Sequence, residues 1–97
     1  MAVTDAGAAG SALMTEADLA ARCRSKRKKQ GLTQTELAGR MVETGRVESL
    51  SKQAISKAEN YAPSDGMTAL RVALLEELTG RALSGPYWTF EDVLEVS

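Results

Sequence analysis

Apolar residues in this chain arrive in short bursts, and several bursts open the same way. An apolar residue precedes a Ser or Thr, and a second apolar residue follows four places after the hydroxyl. The sets are Met14-Thr15…Leu19, Leu32-Thr33…Leu37, Leu50-Ser51…Ile55 and Trp88-Thr89…Val93. A hydroxyl so placed accepts from the orphan N–H groups of a first helical turn, and the two apolar residues staple the entering chain. Asp18, Glu36 and Asp92 add an acid three residues after the hydroxyl in three of the sets, completing a capping box. The pattern predicts helices over about 16–30, 34–44, 52–60 and 90–96, the first two closed by Gly31 and Gly45. A further helix is expected from Gly66–Met67 to Gly80, where Met67, Leu70, Leu74, Leu75 and Leu78 fall on one stripe of a 3.6-residue period.

No segment shows strand alternation. "RALSGPYW" reads as a loop with Gly85-Pro86 as its turn signal. "MAVTDAGAAGSAL" is small, Gly/Ala-rich and aperiodic, which predicts a flexible tail over 1–13. The expected fold is all-α: a compact bundle of about five short helices, one domain over 14–97. A chain of 97 residues buries a modest core, so pairing with a second copy would add stability.

Charge changes the picture more than overall composition does. The net charge of −1 conceals a basic middle: residues 22–57 hold ten bases against three acids, whereas 58–97 hold two bases against seven acids. A basic stretch between acidic ends is the footprint of a polyanion partner, although such runs are also found as plain solvated helix faces. The chain has no histidine, and Cys23 is its single cysteine. Those counts exclude an intrachain disulfide and nearly exclude a metal site and His-based catalysis. No cofactor and no enzymatic activity are expected. No apolar run approaches the roughly 18–20 residues of a membrane span, and no signal-peptide pattern opens the chain. A cytoplasmic protein without a membrane partner is the expectation.

Residues 50–60, "LSKQAISKAEN", pose the functional question. The segment starts like a helix, yet it sets Lys52, Gln53, Ser56 and Lys57 around one large apolar residue, Ile55. Such a helix fits the major groove of B-DNA, where each base pair presents a distinct donor and acceptor pattern. Lysine pairs with guanine acceptors, glutamine pairs bidentately with adenine, and serine serves either. Residues near the N-terminus of a groove-bound helix point at base edges while the preceding helix crosses the backbone. Ile55 would anchor that helix in the core. The alternative is an ordinary solvated face.

Taken together, "SKRKKQGLTQTELA" at 25–38 and "LSKQAISKAEN" at 50–60 resemble the helix-turn-helix domain of phage repressors and the related Xre/Cro-like bacterial regulators. The resemblance covers about 19–60 and continues loosely to 94. It implies a lambda-repressor-like fold and sequence-specific binding of double-stranded DNA. It implies base contacts from Lys52, Gln53 and Lys57, with Ser56 between them. Gln34 falls where the family uses a Gln on a phosphate, and the N–H groups of that helix start would help hold it. Thr33, Ser51, Lys52 and Asn60 are further phosphate candidates. Arg46 either reaches a phosphate or is solvated. Arg27 and Glu59 are expected as a partly buried ion pair between the first and third helices, the alternative being that Arg27 is one more cation of its run. Ala38 is a packing residue between the second and third helices.

The chain departs from the family between those helices. Leu50 lies thirteen positions after Leu37, more than a tight turn allows, so either the second helix is longer or a true loop intervenes. Farther on, "GPYWTFEDVLEV" holds three of the four aromatic residues. Trp88 and Phe90 suit a core, and Tyr87 and Leu94 suit either a core or a dimer contact; Tyr and Trp are enriched at interface anchors. All four are candidate homodimer residues. The functions expected are a homodimeric repressor on a palindromic operator, an antitoxin that also grips a toxin, or a protein-interaction adaptor on the same fold. Lys52, Gln53 and Lys57 separate the adaptor from the DNA readers, because an adaptor has no use for groove-reading groups there.

Overall fold

A computed structural model describes residues 14–84 and 89–90 of the chain. The described residues form an all-α fold of four helices: α1 (Glu16–Lys29), α2 (Gln34–Glu43), α3 (Lys52–Glu59) and α4 (Thr68–Thr79). Two short extended segments follow, β1 (Leu83–Ser84) and β2 (Thr89–Phe90), paired antiparallel with Leu83 opposite Phe90.

Local chemistry explains the first two helices at both ends. Thr15 and Thr33 accept from the backbone N–H of Asp18 and Glu36, and both acids return a bond to the capping residue's own N–H. The staple residues Met14 and Leu19 are buried, and Leu32 lies half-buried over the core that holds Leu37. At the far ends, Gly31 and Gly45 take left-handed φ values of 74° and 78°. That conformation returns the next N–H to the helix: Leu32 N–H donates to the Arg27 carbonyl at 3.1 Å and Arg46 N–H to the Met41 carbonyl at 3.0 Å. These are Schellman closures, and an L side chain at either glycine would be strained. The expected last residues 30, 44 and 60 are the C-caps Gln30, Thr44 and Asn60, one place beyond each helix.

The second half is built differently. α4 begins at Thr68, slightly later than the stripe suggested, and its N-cap Met67 supplies no side-chain hydrogen bond. Asp65 does the organising instead. Its carboxylate accepts from the N–H groups of Ala62 and Met67, each at 3.1 Å, and from both terminal nitrogens of Arg71. Ser64 beside it sits at φ 56°, a strained position for a non-glycine residue. The stripe of α4 is also corrected: Leu74, Leu75 and Leu78 are buried as expected, but Arg71 shares their face and is fully buried.

The core joins Leu19 and Cys23 of α1, Leu37, Ala38 and Met41 of α2, Ile55 and Ala58 of α3, and Leu74, Leu75 and Leu78 of α4. α1 and α4 form the broadest contact, and α3 lies against α1, α2 and α4. α2 ends at Glu43, so the lengthened connection is a loop over 44–51 and not a longer helix. The helix expected over 90–96 is contradicted at its first residue, since Phe90 is extended; a two-residue ladder lies below what sequence alternation can signal. The rest of that helix and the tail over 1–13 lie outside the described residues. Among the described residues no helix is long and apolar enough to cross a membrane.

Candidate nucleic-acid interface

α3 is only eight residues long, and its packing decides which groups face outward. Ile55 and Ala58 are fully buried and Glu59 is nearly so. At about 100° per residue, these three fall on one side of the helix. Lys52, Gln53, Ser56, Lys57 and Asn60 then share an outward arc of roughly 140°. Lys52, Gln53, Lys57 and Asn60 are exposed, and Ser56 is half-buried at the arc's edge.

The start of α3 goes against its own helix dipole. Helices favour acids in the first turn, and α1 and α2 have them. α3 has none and opens with Lys52 instead. A cation at that end costs roughly 0.3–1 kcal/mol. Such a local conflict is characteristic of a site kept for a purpose other than folding. Ser51 caps the helix, its hydroxyl oxygen accepting from Ala54 N–H at 3.1 Å, which leaves the hydroxyl hydrogen for another acceptor.

Beneath α3 lies a charged network. Arg27 donates to Glu59 from Nε at 2.6 Å and from Nη2 at 3.0 Å, and from Nη1 to the Leu32 carbonyl at 2.8 Å. The Glu59 hydrogen bond holds the Arg27 pKa above its ordinary value, against the opposing effect of burial. Gln34 donates from Nε2 to the same Glu59 at 3.1 Å. One of its two amide hydrogens is therefore committed to the helix interface, and the start of α2 is tied to the end of α3. Asn60 turns back to cap its own helix, donating from Nδ2 to the Ser56 carbonyl at 2.7 Å. Thr33 is occupied in its capping box but remains exposed.

Arg46, expected on a phosphate or in solvent, is committed to α4. Its Nε donates to Glu77 at 2.7 Å, and Nη1 lies 3.7 Å from Glu76. Arg40 also pairs with Glu77, at 2.9 Å. Three guanidinium groups of the basic stretch, Arg27, Arg40 and Arg46, thus meet acids within the fold. The exposed cations of that stretch include Arg24, Lys28, Lys29, Lys52 and Lys57.

Sequence reasoning missed Arg71. Its Nε donates to the Ala58 carbonyl at 2.8 Å, Nη1 to Glu16 at 2.9 Å, and Nη1 and Nη2 to Asp65 at 3.1 and 2.5 Å. The guanidinium also lies over the Tyr61 ring, 5.6 Å from its centroid. Burial opposes the Arg71 charge, yet the bonds to Asp65 and Glu16 raise its pKa. The Arg71 hydrogen bond in turn brings the Asp65 carboxyl down to about 2. The one available signal was positional: residue 71 falls on the apolar stripe of α4. Cys23 is fully buried, and burial, with the Glu59 charge adding to it, pushes its thiol up to about 12.

Tyr87, Trp88 and Leu94 lie outside the described residues, and Phe90 is described only as backbone in β2. Among the described residues no cluster of His, Cys, Asp and Glu suits a metal ion. No known family model, curated protein or solved structure matches the chain.

Proposed function

We propose that this chain is a sequence-specific double-stranded DNA-binding regulator of the helix-turn-helix class, a repressor that presents α3 to the major groove. The observation that carries the reading is the outward arc of α3: Lys52, Gln53, Ser56 and Lys57 on one side of a helix whose other side is core. A helix start that places lysine where an acid would be favoured gains from a polyanion what it loses in isolation. The N-termini of α2 and α3, capped by Thr33 and Ser51, are suited to phosphates on either side of the groove. In this reading Thr33, Gln34, Ser51 and Asn60 position the protein, and Lys52, Gln53, Ser56 and Lys57 read bases.

One short helix touches too few base pairs to mark a unique site. The usual solution is two copies on half-sites about one helical turn apart, roughly 34 Å. We therefore propose a homodimer through the C-terminal segment, with Tyr87, Trp88, Phe90 and Leu94 as contacts and the same patch facing itself.

Selection of bound sequences from a random duplex library tests the function. The expected result is a palindromic site. Gln53→Ala and Lys57→Ala should each weaken binding to it by about 1–3 kcal/mol and relax its sequence preference. Lys52→Ala should also flatten the salt dependence by about one unit of slope if it touches a phosphate. Uniform loss on selected and random duplexes for all three variants would remove α3 as the reader. Sedimentation of the protein with and without the selected duplex tests the dimer, and one copy per full palindrome would refute it.

A further inference from the structure

We propose that Glu77 of α4 is the positioning residue for the N-terminal end of α3, and so for the base readout; this rests on the DNA-binding reading above. The two helices that would grip the duplex, α2 and α3, are joined by the eight residues Thr44–Ser51. A connection of that length does not by itself fix a crossing angle. Its first residues are held by the closure of α2, with Arg46 N–H and Val47 N–H both on the Met41 carbonyl. Its later part rests on Val47 and Leu50, half-buried against the core. Apolar contact sets depth but is not directional.

Direction comes from Glu77. Its carboxylate, only 11% exposed, accepts from Arg40 Nε at 2.9 Å through one oxygen and from Arg46 Nε at 2.7 Å through the other. The Thr44 hydroxyl lies 3.1 Å from that second oxygen and 2.9 Å from the Arg40 carbonyl, so its single hydrogen serves one or the other. Arg40 Nη2 also reaches the Glu77 backbone carbonyl at 3.4 Å. Among the described residues, the hydrogen bonds that join α2 and the start of the loop to α4 end on Glu77, with Glu76 beside it 3.7 Å from Arg46 Nη1. Charge-assisted bonds of this kind are shorter and stronger than neutral ones, and each fixes a distance that apolar contact does not. α4 packs beneath α3, so Glu77 refers the loop to the same frame that carries the helix. The other end of α3 needs no such reference, because Arg71 and Arg27 already hold Ala58 and Glu59.

Glu77→Gln keeps the side-chain volume and removes the charge. Residual dipolar couplings of the free protein give the first readout, independent of DNA. The expected result is a reorientation of α3 and loss of amide protection at Gly45–Val47, with α1 and α4 unchanged and a cooperative melt retained. The second readout is on DNA: preference for the selected site over random duplex should fall roughly tenfold while random-duplex affinity holds. Glu77→Asp, which keeps the carboxylate, should recover part of both. An unchanged α3 orientation in Glu77→Gln would overturn the proposal. A reoriented α3 in a protein that binds no duplex at all would leave the positioning role of Glu77 standing and remove the DNA-binding reading instead. If Glu77→Gln does not fold, Arg46→Met, which removes one donor from the periphery, gives the same two readouts.

Discussion

The two ends of α3 are secured by different physics. At the C-terminal end, Arg71 and Arg27 reach Ala58 and Glu59 with side chains that are nearly or fully buried. Ahead of the N-terminal end, Arg40 of α2 and Arg46 of the loop reach Glu77 with side chains that keep 37% and 35% exposure. Breaking a buried, hydrogen-bonded charge pair leaves its partners desolvated and unpaired, whereas water can replace a guanidinium that already keeps a third of its surface exposed at smaller cost. The first arrangement therefore governs whether the domain folds. The second, in the positioning role proposed for Glu77, sets the orientation of the N-terminal end of α3.

Removing Arg71 should have the largest effect. Arg71→Met strands Asp65, Glu16 and the Ala58 carbonyl, and a loss of about 3–5 kcal/mol is expected. Domains of this size have only about 5–15 kcal/mol to lose. Urea denaturation measures it, and a loss under about 1 kcal/mol would erase the contrast between the two ends. Arg27→Met and Glu59→Leu should each be strongly destabilising alone. The two together should be milder than either, because the main cost is the lone buried charge left behind. A double-mutant cycle that is merely additive would show the pair to be unimportant.

Acid provides a gentler probe of the same end. Hydrogen bonding to Arg71 lowers the Asp65 pKa to about 2 in the folded protein, below its value of about 4 in an unfolded chain. A carboxyl lowered on folding contributes stability that is complete above the unfolded value. That contribution is lost as pH falls from about 4 toward 2. The urea midpoint followed from pH 5 to pH 2 should fall more steeply in the parent protein than in Asp65→Asn. Equal slopes would detach Asp65 from the Arg71 network.

The smallest effect should come from a local cap. Thr33→Ala removes one side of the capping box of α2 and should cost about 1 kcal/mol. It should leave the orientation of α3 untouched, since α2 remains tied through Gln34 to Glu59 and through Arg40 to Glu77. Dipolar couplings that moved in Thr33→Ala as much as in Glu77→Gln would place the reference frame in α2 rather than α4.

The helices were legible in the sequence because the signals that make them are local. A hydroxyl at Thr15, Thr33 or Ser51 acts on an N–H three residues away, and Gly31 or Gly45 acts within its own turn. Such groups meet whenever the chain begins to coil, so α1 to α3 and the buried faces of Leu37 and Ile55 could be read from spacing, whereas the same pattern at Thr89 leads into an extended Phe90. The outward arc of α3 was legible for the same reason: once Ile55 is known to be core, a 3.6-residue period decides which residues face away. Arg71 and Glu77 were not legible. Arg71 finds its partners at separations of 6, 13 and 55 residues, and Glu77 at 31, 33 and 37. A charged residue on a helix carries no mark of whether a counter-charge will arrive from so far along the chain. Which arginines were spent inside the fold, and which cations were left on its surface, was decided when the helices packed.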